Sequence, residues 1–218
     1  MDATVAVDST THSSPAPLTY DGPPETRAFW CGSLPHWDVL GRPVFLTIHV
    51  RGAVPAEAVT RIREEARTIG SGADTASARR LKRIFANMER WLDRADGEPL
   101  LTRPDVSTML REAMNERMRR GCWRLMHWVI LPSHLHVLYV PGTVGMRRVL
   151  GDFKRWTGHE AGRLLGATGK RLWQDEWFDH WSRSADETDR IASYIRSNPV
   201  RAGLVQTSDE WPHGSWSR

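Results

Sequence analysis

The chain has 218 residues, 40% hydrophobic and 26% charged, the balance of an ordinary globular protein rather than of a disordered or fibrous one. Its net charge of +4 and pI near 9.5 suit an anionic partner. Two cysteines, Cys31 and Cys122, make neither a disulfide framework nor a zinc set. The N-terminus lacks the basic start and apolar stretch of a signal peptide, and no window holds the about 18 apolar residues of a membrane span. The expectation is a reduced, soluble, cytoplasmic protein with no membrane partner.

Residues 1–26 are rich in Ser, Thr, Pro and Ala and predict a disordered tail ahead of one domain over 27–218. "CGSLPHWDVLGRP" reads as a turn-rich lead-in, and "VFLTIHV" (44–50) as the first strand. Helices follow at 55–68, which opens on a proline, at 76–95, with Leu81, Ile84, Phe85, Met88, Trp91 and Leu92 as its apolar stripe, and at 103–118. "CWRLMHWVI" (122–130) and "HLHVLYV" (134–140) are strands joined by a tight turn. Residues 145–166 form a helix with Met146, Val149, Leu150 and Phe153 as its core face. "EWFDHWSR" (176–183) is strand or extended. A last helix over 185–198 has acids in its first turn and Pro199 just beyond.

This order predicts an α+β fold of the ferredoxin-like, split βαβ type. It has an antiparallel sheet with helices on one face, extra helices in the first crossover and a C-terminal tyrosine-bearing helix. The first and third strands are expected at the middle of the sheet.

His134 and His136 lie two apart on the third strand and therefore share a face. Two imidazoles there can grip one divalent cation, although packing is the commoner reason for a lone pair of this kind. Tyr194 and Asn198 are i and i+4 on the last helix, so a phenol and an amide share a face. The phenol can be a nucleophile and the amide oxygen a metal ligand; alternatively the first is a core residue and the second a helix terminus. Between Gly145 and Arg171 seven Lys/Arg stand against two acids. Arg147, Arg148, Lys154 and Arg155 are available to phosphates and Trp156 to a base, unless they are a solvated helix face and a core indole. Asp179 reads as a salt-bridge partner rather than an orienter of a ligand. His180 is a further candidate near the site, and His49 and His127 read as packing or surface residues.

Together "LPSHLHVLYV", "RLWQDEWFDHWSR" and "YIRSNPVRAGLV", in this order, resemble the REP-associated tyrosine transposases, single-tyrosine members of the HUH nuclease superfamily. The resemblance runs from about Leu34 to the C-terminal "EWPHGSW". It implies that His134 and His136 hold a Mg or Mn ion with Asn198 as third ligand, and that Tyr194 is the nucleophile. The substrate it implies is single-stranded DNA carrying a REP-like hairpin, cut and rejoined through a 5′-phosphotyrosine. A catalytically inactive hairpin-binding module of the same fold is the alternative, although His134, His136 and Tyr194 are all present. Monomer and homodimer both remain open.

Overall fold

Alternation is lost in the two most apolar strands of this sequence because both of their faces are covered. The computed structural model describes residues 18–67, 69, 75–94 and 98–217. Its strands are β1 (Glu25–Cys31), β2 (Pro35–Leu40), β3 (Val44–His49), β4 (Trp123–Ile130), β5 (His134–Pro141) and β6 (Phe178–Trp181). Its helices are α1 (Ala56–Ala66), α2 (Thr75–Leu92), α3 (Pro104–Arg119), α4 (Met146–Leu164) and α5 (Ala185–Arg201). Strands β3 to β6 form an antiparallel sheet in the order β4-β5-β3-β6. Every residue of β3 and β5 is buried, as two-faced central strands require. The expected ferredoxin-like order is therefore present, with the first and third strands of the sheet in the middle.

Register separates the two faces. Thr47 lies opposite His136 and His49 opposite His134, so these four side chains share one face with Phe45 and Phe178. Leu46, Val137 and Tyr139 point the other way. On that second face α3 and α4 pack together: Phe153 of α4 lies 5.9 Å from Trp123, whose indole donates to the Met114 carbonyl of α3. Met146, Val149, Leu150 and Phe153 are all buried, as their helical spacing predicts. Each such side chain contributes about 1.5–3 kcal/mol by leaving water. Helices α2 and α5 cover the histidine face, through Phe85 and Tyr194.

The lead-in to β3 is not a run of turns. Residues 25–40 form the β1-β2 hairpin, and the predicted tail overlaps it at Glu25 and Thr26, while residues 1–17 lie outside the described residues. The hairpin was hidden because its side chains are satisfied by partners far along the chain. Arg27 donates to both Asp38 oxygens and to the carbonyls of Gly142, Thr143 and Val144. Asp38 also accepts from the Met146 amide, fixing the start of α4. Gly142 cannot carry a side chain there, since an added Cβ would sit 2.0 Å from the Gly121 carbonyl oxygen.

Two further expectations need correction. Trp91 is 42% exposed and not part of the α2 stripe. Pro199 lies inside α5, not beyond it. A proline there has no amide to donate and its ring crowds the preceding turn, and the helix closes soon after, on Gly203, whose φ of +70° suits a residue without a side chain. The Gly203 and Leu204 amides donate to the Val200 and Pro199 carbonyls. Beyond it the chain runs along the outer edge of β4, where the Ile130 amide donates to the His213 carbonyl and the Ser215 amide to the Trp128 carbonyl. Among the described residues no helix is long and apolar enough to cross a membrane.

Candidate metal and tyrosine centre

The strand start at His134 brings two imidazoles side by side, their ring centres 4.8 Å apart. Each ring is held from its Nδ1 side: His136 by the Thr47 hydroxyl at 2.8 Å, His134 by the Ser133 hydroxyl at 3.2 Å. This leaves both Nε2 atoms buried with no hydrogen-bond partner. Partners at Nδ1 are the usual means by which a protein aims the other ring nitrogen at a metal.

The third member is Glu89 of α2, a residue outside the sequence expectation. Its Oε2 lies 3.5 Å from His136 Nε2, and its Oε1 is buried without a partner. Donor atoms of Glu89, His134 and His136 all lie within 4.8 Å of one another, and all three residues are buried. Burial and the neighbouring His136 hold the His134 pKa down at about 3, which keeps it in the neutral, metal-binding form. Burial works against a charge on Glu89, but the His136 and His134 imidazoles and the phenol of Tyr194 outweigh it, and its pKa falls to about 2. Two imidazole nitrogens and a carboxylate, with orphaned donor atoms within reach of one another, fit a divalent cation.

Tyr194 of α5 completes the centre. Its hydroxyl donates to Glu89 Oε2, and its ring lies 5.6 Å from that of His136. Burial first, then the Glu89 charge, push the phenol well above its ordinary pKa. The Arg201 guanidinium, 5.1 Å over the ring, opposes this. Asn198, one turn on, is 1% exposed, and neither its Oδ1 nor its Nδ2 has a partner.

The remaining candidates separate by face. His49 shares the histidine face, because the β3-β5 register sets it opposite His134. His180 lies on the histidine face, bonded to Glu187 at 3.0 Å, and the guanidinium of Arg183 approaches it at 3.4 Å. His127, opposite Leu138, is half-buried. Asp179 is on the other face, where it bonds His36 of the hairpin and the Trp177 indole, a structural part as expected. Helix α4 is also across the sheet from the histidines. Arg147 and Arg148 are exposed, Arg155 pairs with Asp152, and Trp156 is 50% exposed, so it is no core residue. Lys154 turns inward instead, donating to the Asp175 carbonyl at 2.6 Å with its ammonium over the Trp177 ring. Behind it a groove of about 490 Å³ is lined by Lys154, Arg155, His159, Lys170 and Arg171.

No family model matches the sequence. The REP-associated tyrosine transposase of Escherichia coli (strain K12) is 27% identical over 112 residues, half of this chain and 64% of that protein. The chain thus matches just under two thirds of that relative's length. A solved structure of a REP-associated tyrosine transposase bound to a REP hairpin covers 83% of this chain, and this chain 80% of that one, with a TM-score of 0.54 at 19% identity. The fold is that of a REP-associated tyrosine transposase. Within this transposase fold Glu89 did leave a trace in the sequence: it is the acid at i+4 from Phe85 and i−3 from Leu92, on the apolar stripe of α2.

Proposed function

We propose that this chain cleaves and rejoins single-stranded DNA beside a hairpin, as a single-tyrosine transposase. The observation that carries the proposal is the half-buried hydrogen bond from the Tyr194 hydroxyl to a carboxylate that also closes on His134 and His136. Glu89, His134 and His136 would hold Mg or Mn, with Asn198 as a further donor. Such an ion, when bound, supplies charge stabilisation at a phosphoryl oxygen and at the leaving oxygen. The remaining chemistry belongs to the chain. Tyr194 Oη forms the bond to phosphorus while the bond from phosphorus to the 3′-oxygen breaks, leaving a 5′-phosphotyrosine and a 3′-hydroxyl. The phenol proton passes to Glu89 Oε2, which already accepts it in a hydrogen bond, and on to solvent, while the departing 3′-oxygen takes one proton from solvent to become the 3′-hydroxyl. Attack by another 3′-hydroxyl reverses these steps and rejoins a strand. Thr47 and Ser133 keep the two imidazoles aimed throughout.

The substrate class follows from the hairpin-bound transposase of the same fold and from the exposed cations of α4. Arg147, Arg148 and Arg155 would contact phosphates, Trp156 would stack on a base, and Lys154 would act from the groove wall rather than from the surface. The test is incubation with labelled hairpin oligonucleotides, drawn from palindromes flanking the gene, in Mg or Mn, followed by a denaturing gel. A covalent protein–DNA adduct is expected from the parent and from neither Tyr194→Phe nor His136→Ala. Hairpin binding with no adduct in any lane would overturn strand cleavage and leave a hairpin-binding module.

A further inference from the structure

On the side of Tyr194 away from the metal cluster, the histidine face of the sheet opens into a second groove of about 250 Å³. Its walls are rings. Phe85 lies 4.8 Å from Phe178 and 5.7 Å from Tyr194, and Phe45 lies 5.9 Å from Tyr194. Lys82, 3.9 Å from Glu187, and Arg190, both exposed, stand at its rim, and the bonded pair His180–Glu187 closes one end. The Tyr194 ring is a wall common to this groove and to the metal cluster.

We infer that this groove takes the nucleobase next to the phosphate that Tyr194 attacks. The inference rests on the transposase reading and deepens it. A strand whose phosphate meets the Tyr194 hydroxyl carries an adjacent base within reach of the same ring. A flat aromatic base finds aromatic walls there, where stacking is tolerant of base identity. The rim cations match the charge of the neighbouring phosphates. His180 and Glu187, bonded to each other, close the end of an otherwise apolar slot and so limit the size of the base it takes. Trp156 and the α4 cations cannot supply this contact, because the sheet lies between them and Tyr194.

The test measures binding alone, in a Tyr194→Phe background where no strand is cut. Hairpin oligonucleotides from the flanking palindromes carry an abasic site at each successive position of the single-stranded flank. One position is expected to weaken binding about tenfold, in line with one stacked base. That penalty should vanish in Ile191→Trp, where an indole replaces a residue of the groove wall and fills it, while the bare hairpin binds both proteins equally. A 2-aminopurine at the same position should be quenched in the Tyr194→Phe complex, a readout that stands even if Ile191→Trp does not fold. A bound hairpin with no abasic position penalised and no probe quenched overturns the inference. A chain that binds no hairpin overturns the transposase reading beneath it, and the inference falls with it.

Discussion

Glu89 faces two claims at once, one from the imidazoles and one from the phenol. Its Oε2 accepts the Tyr194 hydroxyl while its Oε1 has no partner, so a cation can be held at one oxygen while the proton is taken at the other. An ion that binds the folded chain alone raises its stability by about 2.7 kcal/mol at a hundred times its dissociation constant. Mn added to the parent should therefore raise the melting temperature. In Glu89→Ala and His136→Ala the rise should be absent or strongly reduced, because each change removes one of the three donors that would hold the ion. An equal shift in Glu89→Ala would remove Glu89 from the ligand set and leave Asn198 as the third donor. The histidine pair and the tyrosine were legible in the sequence because alternation on a strand and i, i+4 spacing on a helix are local. Glu89 was not singled out because one acid in an apolar stripe looks like a boundary residue until the sheet beneath it is known.

At the scale of elements, the β1-β2 hairpin is held by a charge cluster under one face of the sheet. His36 is buried, which opposes its protonation, but its bonds to Asp179 and to Glu176 at 3.2 Å outweigh this and raise its pKa from 6.5 to about 9. A raised pKa means that the protonated ring stabilises the fold. That contribution is complete below about pH 6.5 and is lost as the pH rises through about 9. Protection factors of the β1 and β2 amides, taken relative to the base-catalysed intrinsic rate, should fall over that interval in the parent, whereas a His36→Phe variant should show no such step. The same scale holds the cover on β4. Deleting residues 206–218 strips the partners of the Trp128 carbonyl and the Ile130 amide, and an uncovered edge strand pairs with other chains. Size-exclusion chromatography should show concentration-dependent association of the truncated chain and less of it in the full one. The hairpin escaped the sequence reading because its Gly, Pro and polar residues look like turns; the side chains that stabilise it, Asp179 and Glu176, come from the far end of the chain.

Across the whole molecule the sheet separates two faces: the histidine face holds the candidate metal and tyrosine centre, and the opposite face holds the β1-β2 hairpin and α4. If α4 is a phosphate-binding surface, hairpin affinity should fall steeply with salt. Replacing Arg147 and Arg148 by alanine should then flatten the log–log slope by about 0.9 for each duplex phosphate that is no longer neutralised. Adduct formation at saturating DNA should change little, because neither residue approaches Tyr194. An unchanged slope would place the hairpin elsewhere on the protein, for example against the groove lined by Lys170 and Arg171.

The sequence by itself determined what short-range patterns encode: the strands and helices of the sheet domain and their antiparallel order. It also determined the shared face of His134 and His136 and the single turn between Tyr194 and Asn198. Only the tertiary structure decided which residue completes the centre and that His49 faces His134. It also decided that Lys154 turns inward, that Trp91 and Trp156 meet solvent, and that Asp179 serves the hairpin. The physical reason is common to all of these. Each depends on a partner brought close by folding, and the free energy of burying a charge or a ring is set by that partner rather than by sequence neighbours.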